Sequence, residues 1–177
     1  MSRPSSPRLR RVEAQSELCI VVACHTFVVA IPARFVTRLV LNEDVTPAPD
    51  GGPGLVQSDG ELFVASNLGP LLGLPPLGEA YVLLHLPHAG GRVPLALRTG
   101  PCLVVREVSV EAPLPHGLFK ARGEAMLGAF VADASRGLNG GALYGLVLDA
   151  ANLWTRAELD AAAQAAEGAR NQKRTNG

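Results

Sequence analysis

Residues 55–74 read LVQSDGELFVASNLGPLLGL. Two short apolar runs, 55–57 and 61–65, flank Ser58-Asp59-Gly60, and the stretch closes on Asn67-Leu68-Gly69 and Leu71-Leu72-Gly73-Leu74. Asp-Gly tolerates the positive φ angles of a tight turn between antiparallel strands. The stretch is therefore expected to be a structural hairpin. The competing reading is a catalytic loop carrying Asp59 and Asn67, which requires a base, a nucleophile or a metal elsewhere in the chain.

The same punctuation recurs on both sides. Strand-like runs fall at 18–24, 27–31, 81–86, 93–97, 102–110, 126–132 and 143–148, and residues 33–41 (ARFVTRLVL) read as a helical turn or bent strand feeding a further strand. Turns are marked by His25-Thr26, His88-Ala89-Gly90-Gly91 and Asn139-Gly140-Gly141, and a Pro/Gly/Asp-rich loop occupies 42–54. Short strands with turn signals at this spacing point to closed or sandwiched β sheets rather than βαβ units. Helix is expected only near the C-terminus, where Thr155-Arg156-Ala157-Glu158 forms a capping box. Alanines continue that helix to Gly168, the expected stop. The expected organisation is a mobile basic tail over 1–15, a single mainly β domain with a C-terminal helix over 16–169, and a polar tail over 170–177.

Composition narrows the function. Of 177 residues, 47% are hydrophobic and 18% charged, as in globular proteins. Sixteen basic residues, fourteen of them Arg, balance sixteen acidic ones, so no global field favours nucleic acid or a membrane surface. Aromatics are 5%, too few for the stacking platforms of single-strand-binding barrels. The longest apolar runs are strand-sized, well short of the roughly 20 residues of a spanning helix. The N-terminus has no signal-peptide core. Three cysteines (Cys19, Cys24, Cys102) in strand-like segments with no CxxC fit a reducing compartment, and the expected location is the cytoplasm.

The chain carries no phosphate-binding GxxxxGK[ST], no GxGxxG and no GxSxG elbow. His85 and His88 are separated by two residues, one of them Pro87, and with Cys24-His25 they complete no recognised metal set. Asp59 and Glu61 flank a turn glycine, and the carboxylates form no pair. No cofactor or metal is expected, and the catalytic reading of Asp59 and Asn67 finds no second group to act with.

In pattern and order the chain resembles the CheW-like domains, the chemotaxis coupling protein family. The resemblance covers roughly residues 17–159. CIVVACHTFVVAIPARFVTRLVL follows the family's opening hairpin, proline turn and following strand, with Ile31-Pro32 and Val36 in matching places. Residues 55–74 follow its most recognisable segment, and YVLLHLP, RVPLALRTGPCLVV, MLGAFV and ALYGLVLDAANLW keep its order. The resemblance implies two small five-stranded β barrels packed together, a groove between them that receives helical partners, and a non-enzymatic adaptor role. The partners it implies are a chemoreceptor cytoplasmic tip and the regulatory domain of a chemotaxis histidine kinase. On that resemblance the candidate protein-binding residues are Val36 and Leu39 at the groove lip and Asp59 and Asn67 near the diverged turn. Core packing for the first pair and turn chemistry for the second remain open alternatives. Three positions depart from the family: Asp59-Gly60 replaces Arg-Gly, Asn67-Leu68-Gly69 replaces Asp-Leu-Arg, and Leu97-Arg98 replaces Val-Asp. A reversed rim charge alters partner choice, so a scaffold for a different bacterial polarity or motility protein is the second reading.

Overall fold

The structure, a computed structural model, describes residues 16–41, 54–78, 80–112, 114, 122, 125–133 and 143–175. The expected N-terminal tail, His116, most of the 42–54 loop and the Asn139-Gly140-Gly141 turn lie outside them. The described chain forms ten strands: β1 (Ser16–Cys24), β2 (Phe27–Pro32), β3 (Val36–Leu41), β4 (Leu55–Ser58), β5 (Glu61–Asn67), β6 (Ala80–His88), β7 (Gly91–Thr99), β8 (Cys102–Ser109), β9 (Met126–Asp133) and β10 (Leu143–Leu148). A 3-10 turn, Ala33–Phe35, feeds β3, and two α-helices are present, α1 (Leu68–Leu71) and α2 (Arg156–Thr175). The turns have the expected chemistry. Asp59 and Gly60 both have positive φ (51° and 80°), as do Ala89 and Gly90 (46° and 79°), the backbone that matches the twist of a two-residue hairpin.

The strands divide into two five-stranded sheets, ordered β8-β1-β2-β10-β9 and β3-β6-β7-β5-β4. Each contains one parallel pair, β2 with β10 and β5 with β7. An arginine bridges the outer strands of each sheet. In the first barrel Arg106 of β8 donates to the carbonyls of Val131 and Ala132 on β9, at 3.1 and 3.0 Å. Just beyond, Ala112 pairs with Ala129. In the second, Arg38 of β3 reaches Ser58 Oγ (3.3 Å) and the Asp59 carboxylate (2.7 Å) at the end of β4. These arginine contacts cover part of the edges that would otherwise be open to association. The second barrel, β3 to β7, is inserted in the chain between β2 and β8 of the first.

Side-chain alternation then fills three cores. Cys19 and Val21 of β1 point into the first barrel with Val28, Phe130 and Val147. Tyr81 and Leu83 of β6 point into the second with Val40, Phe63 and Ala96. The residues between them, Ile20, Val22, Val82, Leu84 and Leu86, face the opposite way into one shared core between the barrels. Strands buried on both faces read as continuous apolar runs, which is why CIVVAC and YVLLHL carry almost no polar residue. Gly145 is required inside the first barrel because a Cβ there would overlap the Phe130 ring and Val28.

The capping box of α2 forms as expected. The Thr155 backbone N–H donates to Glu158 Oε2 at 2.8 Å, and the Glu158 N–H donates to Thr155 Oγ1 at 3.3 Å. Leu159, Ala162 and Ala166 join the shared core. The helix does not stop at Gly168. It continues to Thr175, through the segment expected to be a polar tail. Gly168 lacks the left-handed conformation of a helix stop, and the roughly 1 kcal/mol cost of a helical glycine is borne among strong helix formers.

Candidate functional site

The apolar surface worth examining is the margin of the shared core, where it emerges between the barrels. On β3, Val36 lies opposite Leu84 and Leu39 opposite Val82, both shared-core residues. Residues three apart fall on opposite faces of a regular strand. A register shift between Val36 and Arg38 corrects this and brings Val36 and Leu39 to the same face. Leu41 follows on that face. Val36 is half-buried against the core, whereas Leu39 and Leu41 are 39% and 62% exposed.

The first barrel supplies the other wall. Leu18 and Ile20 share the outer face of β1, with Glu107 and Val105 of β8 directly opposite them. Ile20 is buried, while Leu18 (52%) and Val105 (53%) are exposed. Cys19 pairs with Pro32, so Leu18 stands beside the 3-10 turn whose Phe35 leads into β3. The walls are further tied by the Arg34–Glu17 ion pair, with the Arg34 guanidinium 4.6 Å from the Phe35 ring. Val105 and Leu18 on the first barrel and Leu39 and Leu41 on the second are thus exposed, with Phe35 and Val36 packed on the shared core, and this apolar margin is the seam. Covering a half-exposed Leu or Val stabilises a complex by about 1 kcal/mol. Sequence reasoning named Val36 and Leu39 but missed Leu18, Leu41 and Val105. An available signal was the Leu103-Val104-Val105 triplet, more apolar than one buried face requires.

Asp59 and Asn67 do different work. Asp59 sits at the β4–β5 turn with its carboxylate on Arg38, so the reversed charge is matched inside the chain. Asn67 is an organiser of the loop that follows it. Its Oδ1 accepts from the N–H groups of Gly69 (3.1 Å) and Leu77 (3.0 Å), and its Nδ2 donates to the Leu77 carbonyl at 2.8 Å. A carboxylate could make the two accepting bonds but not the donating one. Arg98, level with Asn67 on the adjacent β7, holds the same loop through the Gly78 carbonyl (3.3 Å). Gly69 packs so tightly on the Pro75 carbonyl that a Cβ would overlap it. His25, at the tip of the β1–β2 hairpin, lies 2.9 Å from that carbonyl oxygen and ties the first barrel to the loop.

Other titratable groups have structural surroundings. Arg122 donates to the Leu153 carbonyl (2.6 Å) and to Glu158 Oε2 (2.9 Å). That contact, with the Thr155 bonds, holds the Glu158 carboxyl down at about 2 despite partial burial. Burial pushes the Cys19 and Cys24 thiols up to about 11, so both are protonated at neutral pH and behave as core hydrophobes. Among the described residues no group of three His, Cys, Asp or Glu side chains could hold a metal ion. None of the described helices is long and apolar enough to cross a membrane.

These features define a class: two packed five-stranded barrels whose shared core opens onto an apolar seam. No family model matches the chain, and no curated protein matches it by sequence. Among solved structures it is similar to the crystal structure of the scaffolding protein TtCheW from Thermoanaerobacter tengcongensis. The TM-score is 0.54 at 12% identity, over 78% of this chain and 92% of that one. The chain has the CheW-like fold.

Proposed function

We propose that the chain is a non-enzymatic adaptor of bacterial chemosensory signalling, working in the cytoplasm and receiving an apolar helical face in the seam between its barrels. The observation that carries this reading is the exposure of Leu18, Val105, Leu39 and Leu41 on strands whose neighbouring residues line or pack against the shared core. The likeness to a scaffolding protein supports it. The partners proposed on this reading are a chemoreceptor cytoplasmic tip and a chemotaxis histidine kinase regulatory domain. Titration of the full chain with each purified partner tests the reading. Binding is expected, and Leu39→Asp, which puts a charge on the seam while leaving the barrel interiors untouched, is expected to weaken it about tenfold or more. No binding to either partner would refute it. Asp59, in place of the family's turn arginine and neutralised by Arg38, favours the second reading, a scaffold for a polarity or motility protein. That reading predicts no binding to receptor or kinase and capture of a different protein by wild type but not by Leu39→Asp.

A further inference from the structure

By its pairings the chain is two copies of one five-strand unit. Strands β1 to β5 correspond in turn to β6 to β10: replacing each strand by its counterpart turns the sheet β8-β1-β2-β10-β9 into β3-β6-β7-β5-β4. The parallel pair follows, β2 with β10 matching β7 with β5. So does the bulge: Thr37 is skipped where β3 meets β6, and Leu103 where β8 meets β1. Asn67 at the end of β5 accepts from the Gly69 N–H, and Asp149 just after β10 accepts from the Ala151 N–H, both at 3.1 Å.

Neither half holds a barrel of its own. Only hairpins pair within a half, β1–β2 and β4–β5 in the first, β6–β7 and β9–β10 in the second. The pairings that join hairpins into sheets, β1–β8, β2–β10, β3–β6 and β5–β7, all cross between the halves. Their one covalent link is the segment after Asn67, and it is folded back on itself. The Leu74 N–H donates to the Gly69 carbonyl at 2.8 Å, Asn67 holds Leu77, and His25 meets the Pro75 carbonyl oxygen.

We infer that the chain exchanges halves with a second copy of itself, and that the link held by Asn67 decides how often. In the exchanged dimer β1 to β5 of each copy build both barrels with β6 to β10 of the other, so every strand pairing and all three cores are kept. Only the link differs: residues 68–78 extend, reaching up to about 40 Å, and give up the bonds at Asn67 and His25. Exchange that conserves the contacts is a low-cost route to a two-fold dimer. The inference does not depend on the partners proposed above, and each unit of the dimer carries one complete seam.

The test refolds the full chain from urea at high and low concentration and measures its mass by light scattering. A dimer is expected at high concentration and is expected to persist on dilution, because its return requires the barrels to unfold. Asn67→Ala weakens the closed link in both copies and is expected to raise the association constant about a hundredfold, tenfold per link. His25→Ala, which removes one exposed tether, is expected to raise it less. Leu18 and Glu107 lie opposite one another on β1 and β8, so Leu18→Cys and Glu107→Cys chains refolded together are expected to form a disulfide between chains on oxidation, and neither refolded alone is. Monomer throughout, no such disulfide in the mixture, or a dimer fraction moved by neither Asn67→Ala nor His25→Ala would overturn the inference. So would a dimer that dissociates at once on dilution or is lost in Leu39→Asp, since the seam then holds it. If the exchanged dimer forms and binds neither proposed partner, the adaptor reading falls and the inference stands.

Discussion

Asn67→Ala removes a side chain whose three hydrogen bonds, at 2.8 to 3.1 Å, fix the loop between β5 and β6. Each such bond contributes about 0.5–1.5 kcal/mol net, and a buried group left without a partner costs more. Leu77 is only half-buried, so water replaces part of what is lost. The expected destabilisation is about 2 kcal/mol. Asn67→Asp keeps both accepting bonds and loses only the donor to the Leu77 carbonyl, for about 1 kcal/mol at neutral pH. Urea titration of the full chain, followed through Trp154, the chain's single tryptophan, reads both. With a denaturant slope of about 2 kcal/mol/M, the midpoints fall by about 1 M and 0.5 M. Hydrogen exchange localises the effect: the Gly69 and Leu77 amides lose protection in Asn67→Ala, whereas the strand amides change only as global stability does. An unchanged midpoint, or retained protection at Gly69 and Leu77, would refute the organising role given to Asn67.

Two further outcomes are expected. Gly168→Ala is expected to raise stability by about 0.5–1 kcal/mol, because Gly168 is helical and a Cβ there meets nothing; a lower thermal midpoint would contradict the continuous helix. Glu158 has a folded pKa of about 2 against an ordinary 4.5, so its contribution is fully present above pH 4.5 and is lost as the pH falls toward 2. The carboxylate is 42% exposed, so solvent screening keeps the contribution small, near 1 kcal/mol. The stability gap between wild type and Glu158→Gln is expected to close across that window, and a gap constant from pH 7 to 2 would exclude the Arg122 contact as its source.

Much of the fold could be read from local chemistry. The strands stand out because apolar runs end at turn residues, and the Asp59-Gly60 turn and the Thr155–Glu158 box adopt the conformations their side chains favour. What could not be read is non-local. The register shift at Thr37 that brings Val36 and Leu39 to one face carries no compositional mark. Arg38 and Arg106 look like ordinary polar interruptions until the barrels close and give them an edge to bridge. Gly168 misled because an isolated glycine marks a helix end only if the backbone there turns left-handed. At the candidate site, Val36 and Leu39 came from family resemblance. Leu18 and Val105 looked like core, since a strand apolar on both faces does not reveal which of its residues reach the margin. Asn67 seemed a lost charge, and only the position of the Leu77 carbonyl explains an amide there.

The insertion of the second barrel between β2 and β8 also has a consequence for synthesis on the ribosome. The β1–β2 hairpin emerges first, yet β8, the strand β1 pairs with on its other edge, lies about eighty residues further on, and β10 later still. Pairings this distant in the chain are slow to find. The second barrel, whose strands are contiguous, is complete long before the first, and its Val82–Leu84 face is present when β1 needs somewhere to bury Ile20 and Val22. The second barrel thus offers a surface that can cover the β1–β2 hairpin before β8 and β10 have emerged.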